Sequence, residues 1–211
     1  MIDRQATAAI RPVIDAMARL LVRVRVGADV LSFIGLAIGW LAAFAIARHA
    51  FWIGAAAILL SRLFDGLDGA VARQTTPTDR GGFLDISLDF LFYPAIPLAF
   101  AVADPPANAL AAAVLLAAFV GTGTSFLAFA VLAAKRGLIS AAYPDKSFYF
   151  LGGLTEAAET LAFFVAMCAW PQHFAVLAYV FAALCGVTIA MRLHWGWQTF
   201  RPERSSMKDP R

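Results

Sequence analysis

Charge is scarce in this sequence. Of its 211 residues, only 15% are Asp, Glu, Lys or Arg, whereas 61% are hydrophobic. A soluble domain usually carries about 25% charged residues. A water-soluble core of this length has no room for so much apolar surface, so one integral membrane domain is expected. Cysteine is nearly absent: Cys168 and Cys185 stand alone inside apolar runs. They have no metal-ligand spacing and no disulfide framework around them, and read as inert buried thiols. The three histidines, His49, His173 and His194, are scattered at the ends of apolar runs, and no activated nucleophile of the Ser-His or Cys-His type is evident. No cleavable signal peptide is expected, because Met1 to Arg25 is charged throughout and lacks a short apolar core with a small-residue cut site. No internal repeat of useful length occurs.

The charges that are present are unevenly placed. The net charge of +3 hides basic ends: Arg4, Arg11, Arg19, Arg23 and Arg25 at one, Arg192, Arg201, Arg204, Lys208 and Arg211 at the other. Nothing resembles a nucleic-acid recognition motif, so no nucleic-acid partner is expected. Membrane orientation and attraction to anionic headgroups explain the basic ends. Six apolar segments follow, at about Ala28–Ala47, Phe51–Ala70, Gly82–Val102, Ala109–Ala134, Gly152–Trp170 and Phe174–Met191. Each is near the ~20 residues that a helix needs to cross a bilayer. The connections alternate in charge. Arg73 and Arg80 lie in one loop and Lys135, Arg136 and Lys146 in another, whereas the opposite loops hold little beyond Arg48. Both termini and the basic loops therefore belong in the cytoplasm, and the protein in the inner membrane. Ahead of the first span, Ile10, Val13, Ile14, Met17, Leu20, Leu21 and Val24 recur at helical spacing among arginines. This predicts an amphipathic helix on the inner membrane surface. The expected fold is all-α: residues 1–25 a juxtamembrane amphipathic helix, 26–200 a six-helix transmembrane domain, 201–211 a flexible cytoplasmic tail. The five tryptophans fit interface anchoring.

Against this background stand Asp65, Asp68, Asp85 and Asp89, flanked on both sides by apolar runs. Carboxylates at membrane depth are costly and persist mainly where they have a function. Asp65 and Asp68 are three apart, Asp85 and Asp89 four apart, and both spacings put the pair on one helix face. A hairpin of the second and third spans brings the two faces together near the cytoplasmic surface. Four gathered carboxylates repel one another unless cations join them. All-oxygen ligation suits Mg²⁺ or Mn²⁺, and Ca²⁺ as well. Gly66 and Gly69 leave one side of the second span bare for close approach, and Ala72 continues that track. Arg73 supplies a fork-shaped donor for phosphate oxygens. Gly81 and Gly82 relax the turn that opens the third span. Metal, arginine and a bare helix face together suit a pyrophosphate with a flat base beside it.

The pattern Asp-x₂-Asp-Gly-x₂-Ala-Arg-x₇-Gly-x₃-Asp-x₃-Asp is complete as Asp65, Asp68, Gly69, Ala72, Arg73, Gly81, Asp85 and Asp89. It resembles the signature of the CDP-alcohol phosphotransferases, and the six-span layout behind an amphipathic helix resembles that family too. The resemblance implies a transferase that displaces CMP from a CDP-linked alcohol and joins the remaining phosphoryl group to an acceptor hydroxyl. It implies that Asp65, Asp68 and Asp85 hold one or two divalent ions, and that Asp89 helps ligate and serves as the base. Gly69 and Ala72 would let the cytidine lie close, Arg73 would bind donor phosphate, and Gly81 completes the donor-binding set. A homodimer is implied as well, and Gly35-x₃-Gly39 offers a close-packing face. The expected donor is CDP-diacylglycerol, whose chains can stay in the bilayer during phospholipid synthesis; CDP-choline or CDP-ethanolamine stays open. Three rivals are kept in view: a salt-bridge cluster with Arg62, Arg73 and Arg80, a non-enzymatic cation carrier, and an intramembrane prenyltransferase. The carrier does not explain Gly69, Ala72, Arg73 and Gly81 at fixed offsets.

The acceptor is not readable from the sequence; a small alcohol is expected. Lys135, Arg136 and Lys146 would suit one that carries phosphate, with glycerol 3-phosphate first and an inositol phosphate second; topogenic charge alone also explains them. Glu156 and Glu159 either face the cavity or cap a helix entry. Thr122, Thr124 and Ser125 either bond acceptor hydroxyls or, as is commoner, their own helix backbone. Arg62, one turn before Asp65, either balances the acids or meets a phosphate; snorkelling or simple pairing explains it as well.

Overall fold

The computed structural model describes residues 2–138 and 154–201, with side chains from residue 11 onward. Lys146, the start of the fifth apolar segment and most of the tail lie outside the described residues. All regular structure among the described residues is helical: α1 (Ile2–Arg23), α2 (Ala28–Ala47), α3 (Phe51–Gln74), α4 (Asp79–Ala103), α5 (Pro105–Lys135), α6 (Ala157–Ala169) and α7 (Phe174–Thr199), with a 3₁₀ turn at Pro171–His173. Four helical stretches are long and apolar enough to cross a bilayer: α2, α4, α5, and α7 with its leading turn. α3 has the length, but Arg62, Asp65, Asp68 and Arg73 lower its apolar content. α6 is apolar with only 13 residues.

Capping groups set the ends that hydropathy misplaces. α4 opens at Asp79, three residues before the apolar run, because the Thr78 side chain accepts from Gly81 N–H at 3.0 Å. Gly81 and Gly82 are therefore helical; the turn they were expected to relax lies at 75–78. α5 opens on Pro105, with the Asp104 side chain accepting from Ala107 N–H at 3.2 Å. α7 runs on to Thr199, well past Met191.

α2 packs against both α3 and α4, and α5 lies along α7. Gly35 and Gly39 make the first of these contacts close. Ser61 Oγ donates to the Gly35 carbonyl at 2.7 Å, and a Cβ at Gly35 would lie 3.3 Å from the Ser61 carbonyl oxygen. This small-residue face is thus buried inside one chain, which corrects its expected use against a second copy. The core is aromatic. Phe100 stacks on Phe174 at 4.5 Å between ring centroids, Phe163 stacks on Phe181 at 4.5 Å, and Phe92 meets Phe164 edge-on at 6.4 Å.

α1 packs along α3. Ala18 is fully buried, in a small cluster with Leu31, Leu67, Ala70 and Val71. Gln74 Nε2 donates to the Asp15 carbonyl at 3.1 Å, while Val13, Leu20 and Val24 stay exposed. The amphipathic pattern therefore serves two surfaces, one against α3 and one left uncovered.

Candidate active site

The four aspartates come from two adjoining helices, as their spacing requires. Asp65 and Asp68 lie in the C-terminal half of α3, Asp85 and Asp89 in the N-terminal half of α4. One carboxylate oxygen from each of Asp65, Asp68 and Asp85 falls within 4.8 Å of the other two. Asp68 is buried, Asp65 half-buried and Asp85 exposed. Oxygens on opposite sides of an octahedral Mg²⁺ stand about 4 Å apart, so small side-chain rotations would let these three share one hard cation. The donor set and its spacing fit such an ion. Asp89 borders the same cleft, along with Ser32, Gly35, Leu36, Arg62 and Leu88.

Asp89 leans toward a cation of the protein itself. Arg62 Nη1 donates to Asp89 Oδ1 at 2.6 Å and lies 3.4 Å from Asp65 Oδ1. The expectation that Arg62 balances the acids is met. Its guanidinium sits 3.9 Å from the centroid of the Phe92 ring, which holds it in place.

α2 supplies two residues that sequence reasoning missed. Ser32 Oγ donates to Asp68 Oδ2 in a short hydrogen bond. Asp29, one turn earlier, pairs with Arg80 at 2.5 Å, across the mouth between α2 and α4. Asp29, Ser32, Gly35 and Gly39 recur every three or four residues. That polar and small stripe on an apolar span is the signal that would have found them.

The donor set is partly assembled. Gly66 is exposed, and a Cβ there would meet nothing within 4 Å, so that side of α3 is bare as expected. Arg73, exposed in the last turn of α3, folds back so that its Nη1 would lie 3.3 Å from a Cβ at Gly69. Ala72 is half-buried. A Cβ at Gly81 would lie 3.3 Å from Thr78 Oγ1 and 3.9 Å from Asp29 Oδ1, so this glycine also eases the approach of α2 to α4.

The acceptor set is largely engaged elsewhere. Arg136 donates to the Thr199 and Phe200 carbonyls at 3.0 and 3.3 Å, closing the end of α7. Glu156 and Glu159 form a reciprocal capping box at the start of α6, with Glu156 N–H donating to Glu159 Oε2 at 3.1 Å. The cap, one of the two expected roles, is present. Lys135 is exposed at the end of α5. Thr122, Thr124 and Ser125 bond carbonyls of their own helix. Arg192, read from sequence as a topogenic charge, is instead buried in α7; its Nη1 donates to the Thr122 carbonyl at 2.9 Å. Next to that carbonyl, the Phe90 ring fits into the gap left by Gly123, where a Cβ would come within 2.6 Å of Phe90 Cζ. A buried guanidinium thus lies close to where α4, one residue beyond Asp89, meets α5.

Comparison with known proteins agrees with this architecture. A curated relative, the inner membrane protein YnjF of Escherichia coli (strain K12), is 48% identical over 201 residues, covering 95% of this chain and 98% of its own. The fold is like that of the Mycobacterium tuberculosis phosphatidylinositol phosphate synthase (PgsA1). The form with CDP-DAG bound matches with a TM-score of 0.71 at 23% identity, over 88% of this chain and 94% of that one. The form in complex with manganese and citrate matches with a TM-score of 0.69 at 24% identity, over 87% and 88%. The family model for CDP-alcohol phosphatidyltransferase matches residues 25–191. With the motif intact on α3 and α4, the chain belongs to the CDP-alcohol phosphatidyltransferase family.

Proposed function

We propose that this protein moves a phosphatidyl group from CDP-diacylglycerol to the hydroxyl of a small alcohol, releasing CMP, as a step in phospholipid synthesis. The observation that carries the reading is the convergence of Asp65, Asp68 and Asp85 oxygens beside Asp89 in one cleft, in a chain of this family. Family membership favours transfer over the cation carrier and over prenyl transfer.

In this reading Asp65, Asp68 and Asp85 hold one or two Mg²⁺ or Mn²⁺ ions, and Asp89 helps ligate. When bound, such an ion neutralises the diphosphate and eases the departure of CMP. Ser32 orients Asp68. Arg73 binds donor phosphate, and the low profile at Gly66, Gly69, Ala72 and Gly81 admits the nucleotide. Asp89 accepts the proton from the acceptor hydroxyl as it attacks phosphorus. Direct displacement inverts the configuration at phosphorus, and retention in a chiral-phosphorothioate experiment would oppose it.

The setting follows the same reading. The inner membrane protein among the relatives supports that location. α2 to α7 make six spans, with α1 along the cytoplasmic surface as the 1–25 segment, 26–200 as the catalytic domain and 201–211 as a cytoplasmic tail. Both termini and the cleft face the cytoplasm. The PgsA1 form with CDP-DAG bound supports a CDP-lipid donor. The acceptor carries phosphate: glycerol 3-phosphate first, an inositol phosphate second. Its charge would meet Lys135 and Lys146, and the buried Arg192 adds a further cation on α7. The family resemblance supports a homodimer, which mass measurement in detergent tests. The deciding assay gives purified protein CDP-diacylglycerol, Mg²⁺ or Mn²⁺ and a panel of alcohols, and follows CMP. No release with any acceptor, with D89N matching wild type, would remove the reading.

A further inference from the structure

The end of α3 remote from the aspartates borders a second hollow. An open cavity of about 210 Å³ is walled by His49, the first turn of α3 from Phe51 to Ile53, and the end of α6 at Cys168 and Ala169. Twelve residues of α3 separate Ile53 from Asp65, about 18 Å at the rise of a helix. Trp52, Ile53 and Trp170 stay exposed beside the hollow. An apolar cavity of about 150 Å³ stays dry and accepts a hydrocarbon guest, so this one has room for part of an alkyl chain. It falls short of the roughly 300 Å³ at which pockets for drug-sized ligands begin.

His49 is the unusual member of the wall. It takes the left-handed conformation (φ 61°) just past the end of α2, where Ala50 N–H donates to the Ala45 carbonyl at 2.8 Å and His49 N–H to the Ile46 carbonyl at 2.9 Å. Glycine ordinarily fills this place, because a side chain there is strained. A side chain kept against such strain points to a use for it. The imidazole meets Phe51 edge-on at 5.8 Å, and Phe51 stacks on Phe100 at 5.7 Å, so the core fixes the ring at the cavity wall. Arg48, exposed beside it, adds a permanent positive charge. Asp104, an acid at the same end of the bundle, is committed to capping α5.

We propose that this cavity binds an anionic membrane phospholipid, with the upper part of one acyl chain entering between α3 and α6 while the phosphate meets Arg48 and His49. Complementarity selects the occupant. Phosphate matches the guanidinium and the imidazole N–H, and hydrocarbon matches the apolar walls. Exposed tryptophans suit the depth at which headgroup gives way to chain. In the orientation given above, the lipid belongs to the leaflet that faces away from the cytoplasm, so the site is separate from the donor cleft. The inference goes beyond the transferase reading and stands without it. A bound lipid ties the turn between α2 and α3 to the end of α6, and stabilises the folded chain by mass action.

The test uses full-length wild type, H49G and A169L in detergent micelles. Each is titrated with phosphatidylglycerol, with phosphatidylcholine of the same chains, and with inorganic phosphate. Native mass spectrometry counts the lipids retained, and the unfolding midpoint follows stability. Wild type is expected to retain one more phosphatidylglycerol per chain than A169L, whose larger side chain fills the hollow, and to unfold later when that lipid is present. Phosphatidylcholine should bind more weakly, and inorganic phosphate should change nothing. H49G relieves the strain, so without lipid it should be at least as stable as wild type. Its affinity for phosphatidylglycerol should fall about 10-fold or more, the range for losing a hydrogen bond to a charged group. An imidazole that only packed on Phe51 would give the opposite result, lower stability without lipid and unchanged lipid affinity. Unchanged affinity in both variants would overturn the proposal by placing the lipid elsewhere, the donor cleft included. Equal binding of the two lipids, a response to inorganic phosphate, or an altered oligomeric mass in A169L, which would mean that a second copy covers the hollow, would overturn it too. If A169L yields no folded protein, H49G decides by the same criteria.

Discussion

Replacing Gly39 with alanine is expected to damage the site from a distance. Gly39 lies on α2, facing the fully buried ring of Phe92 on α4. A Cβ there would stand 2.9 Å from Phe92 Cε2, closer still to Cδ2, and 3.1 Å from Ser61 Oγ. Carbon atoms rest at about 3.5–4.0 Å, so the ring has to move by more than half an ångström. It has little freedom to do so, because Tyr93 and Phe164 abut its edges at 5.3 and 6.4 Å between centroids. The Arg62 guanidinium, bonded to Asp89, lies 3.9 Å from the ring centroid, so a displaced ring disturbs that contact. Overpacking of this kind costs about 1–3 kcal/mol. In a soluble chain of this length each kcal/mol lowers the unfolding midpoint by roughly 2–4 °C. G39A should therefore unfold several degrees early in detergent and release CMP more slowly. Trimming the ring isolates the cause: F92L combined with G39A should be less harmful than the two single effects added together, with a coupling of about 1 kcal/mol. G39A with wild-type stability and turnover, or strict additivity in the pair, would show that the Gly39–Phe92 contact does not hold the site.

Three further outcomes follow from other contacts. S32A removes the hydroxyl that bonds Asp68; a hydrogen bond to a charged group contributes about 1.5–3 kcal/mol, so Mn²⁺ affinity measured by titration should drop roughly 10-fold or more. E159A breaks the capping box of α6, costing about 1 kcal/mol in a chemical-unfolding experiment. Its kcat should stay near wild type, and a large kcat loss would return Glu159 to the acceptor pocket. R80A opens the pair with Asp29, but Arg80 is 76% exposed, so the same unfolding experiment should register less than about 1 kcal/mol.

What could be read from the chain beforehand was whatever depends on local period. Asp65, Asp68, Asp85 and Asp89 were legible because spacings of three and four fix a shared helix face, and the short link from α3 to α4 brings the faces together. The apolar cores of α2 to α7 were legible from the length of their continuous hydrophobic runs. Helix ends were not, because Thr78 and Asp104 set them through single side-chain bonds that hydropathy does not register. Long-range partners were also hidden. Ser32 meets Asp68 across 36 residues and Arg192 meets Thr122 across 70, and no local pattern encodes which faces of distant helices meet. Gly35-x₃-Gly39 marks close packing without naming the partner, which proves to be α3 and α4 of the same chain. The basic residue Arg136 and the acids Glu156 and Glu159 carry the chemistry of a phosphate pocket and of helix ends alike, and the structure uses them at helix ends.

In the proposed site Asp65, Asp68 and Asp85 hold the cation, and Asp89 helps ligate but chiefly takes the proton. Parallel measurement of Mn²⁺ binding and CMP release in D68N and D89N tests this assignment most directly. D68N should lose both together, while D89N should keep most of its Mn²⁺ binding and release almost no CMP. D68N binding Mn²⁺ like wild type, or D89N turning over at the wild-type rate, would contradict it.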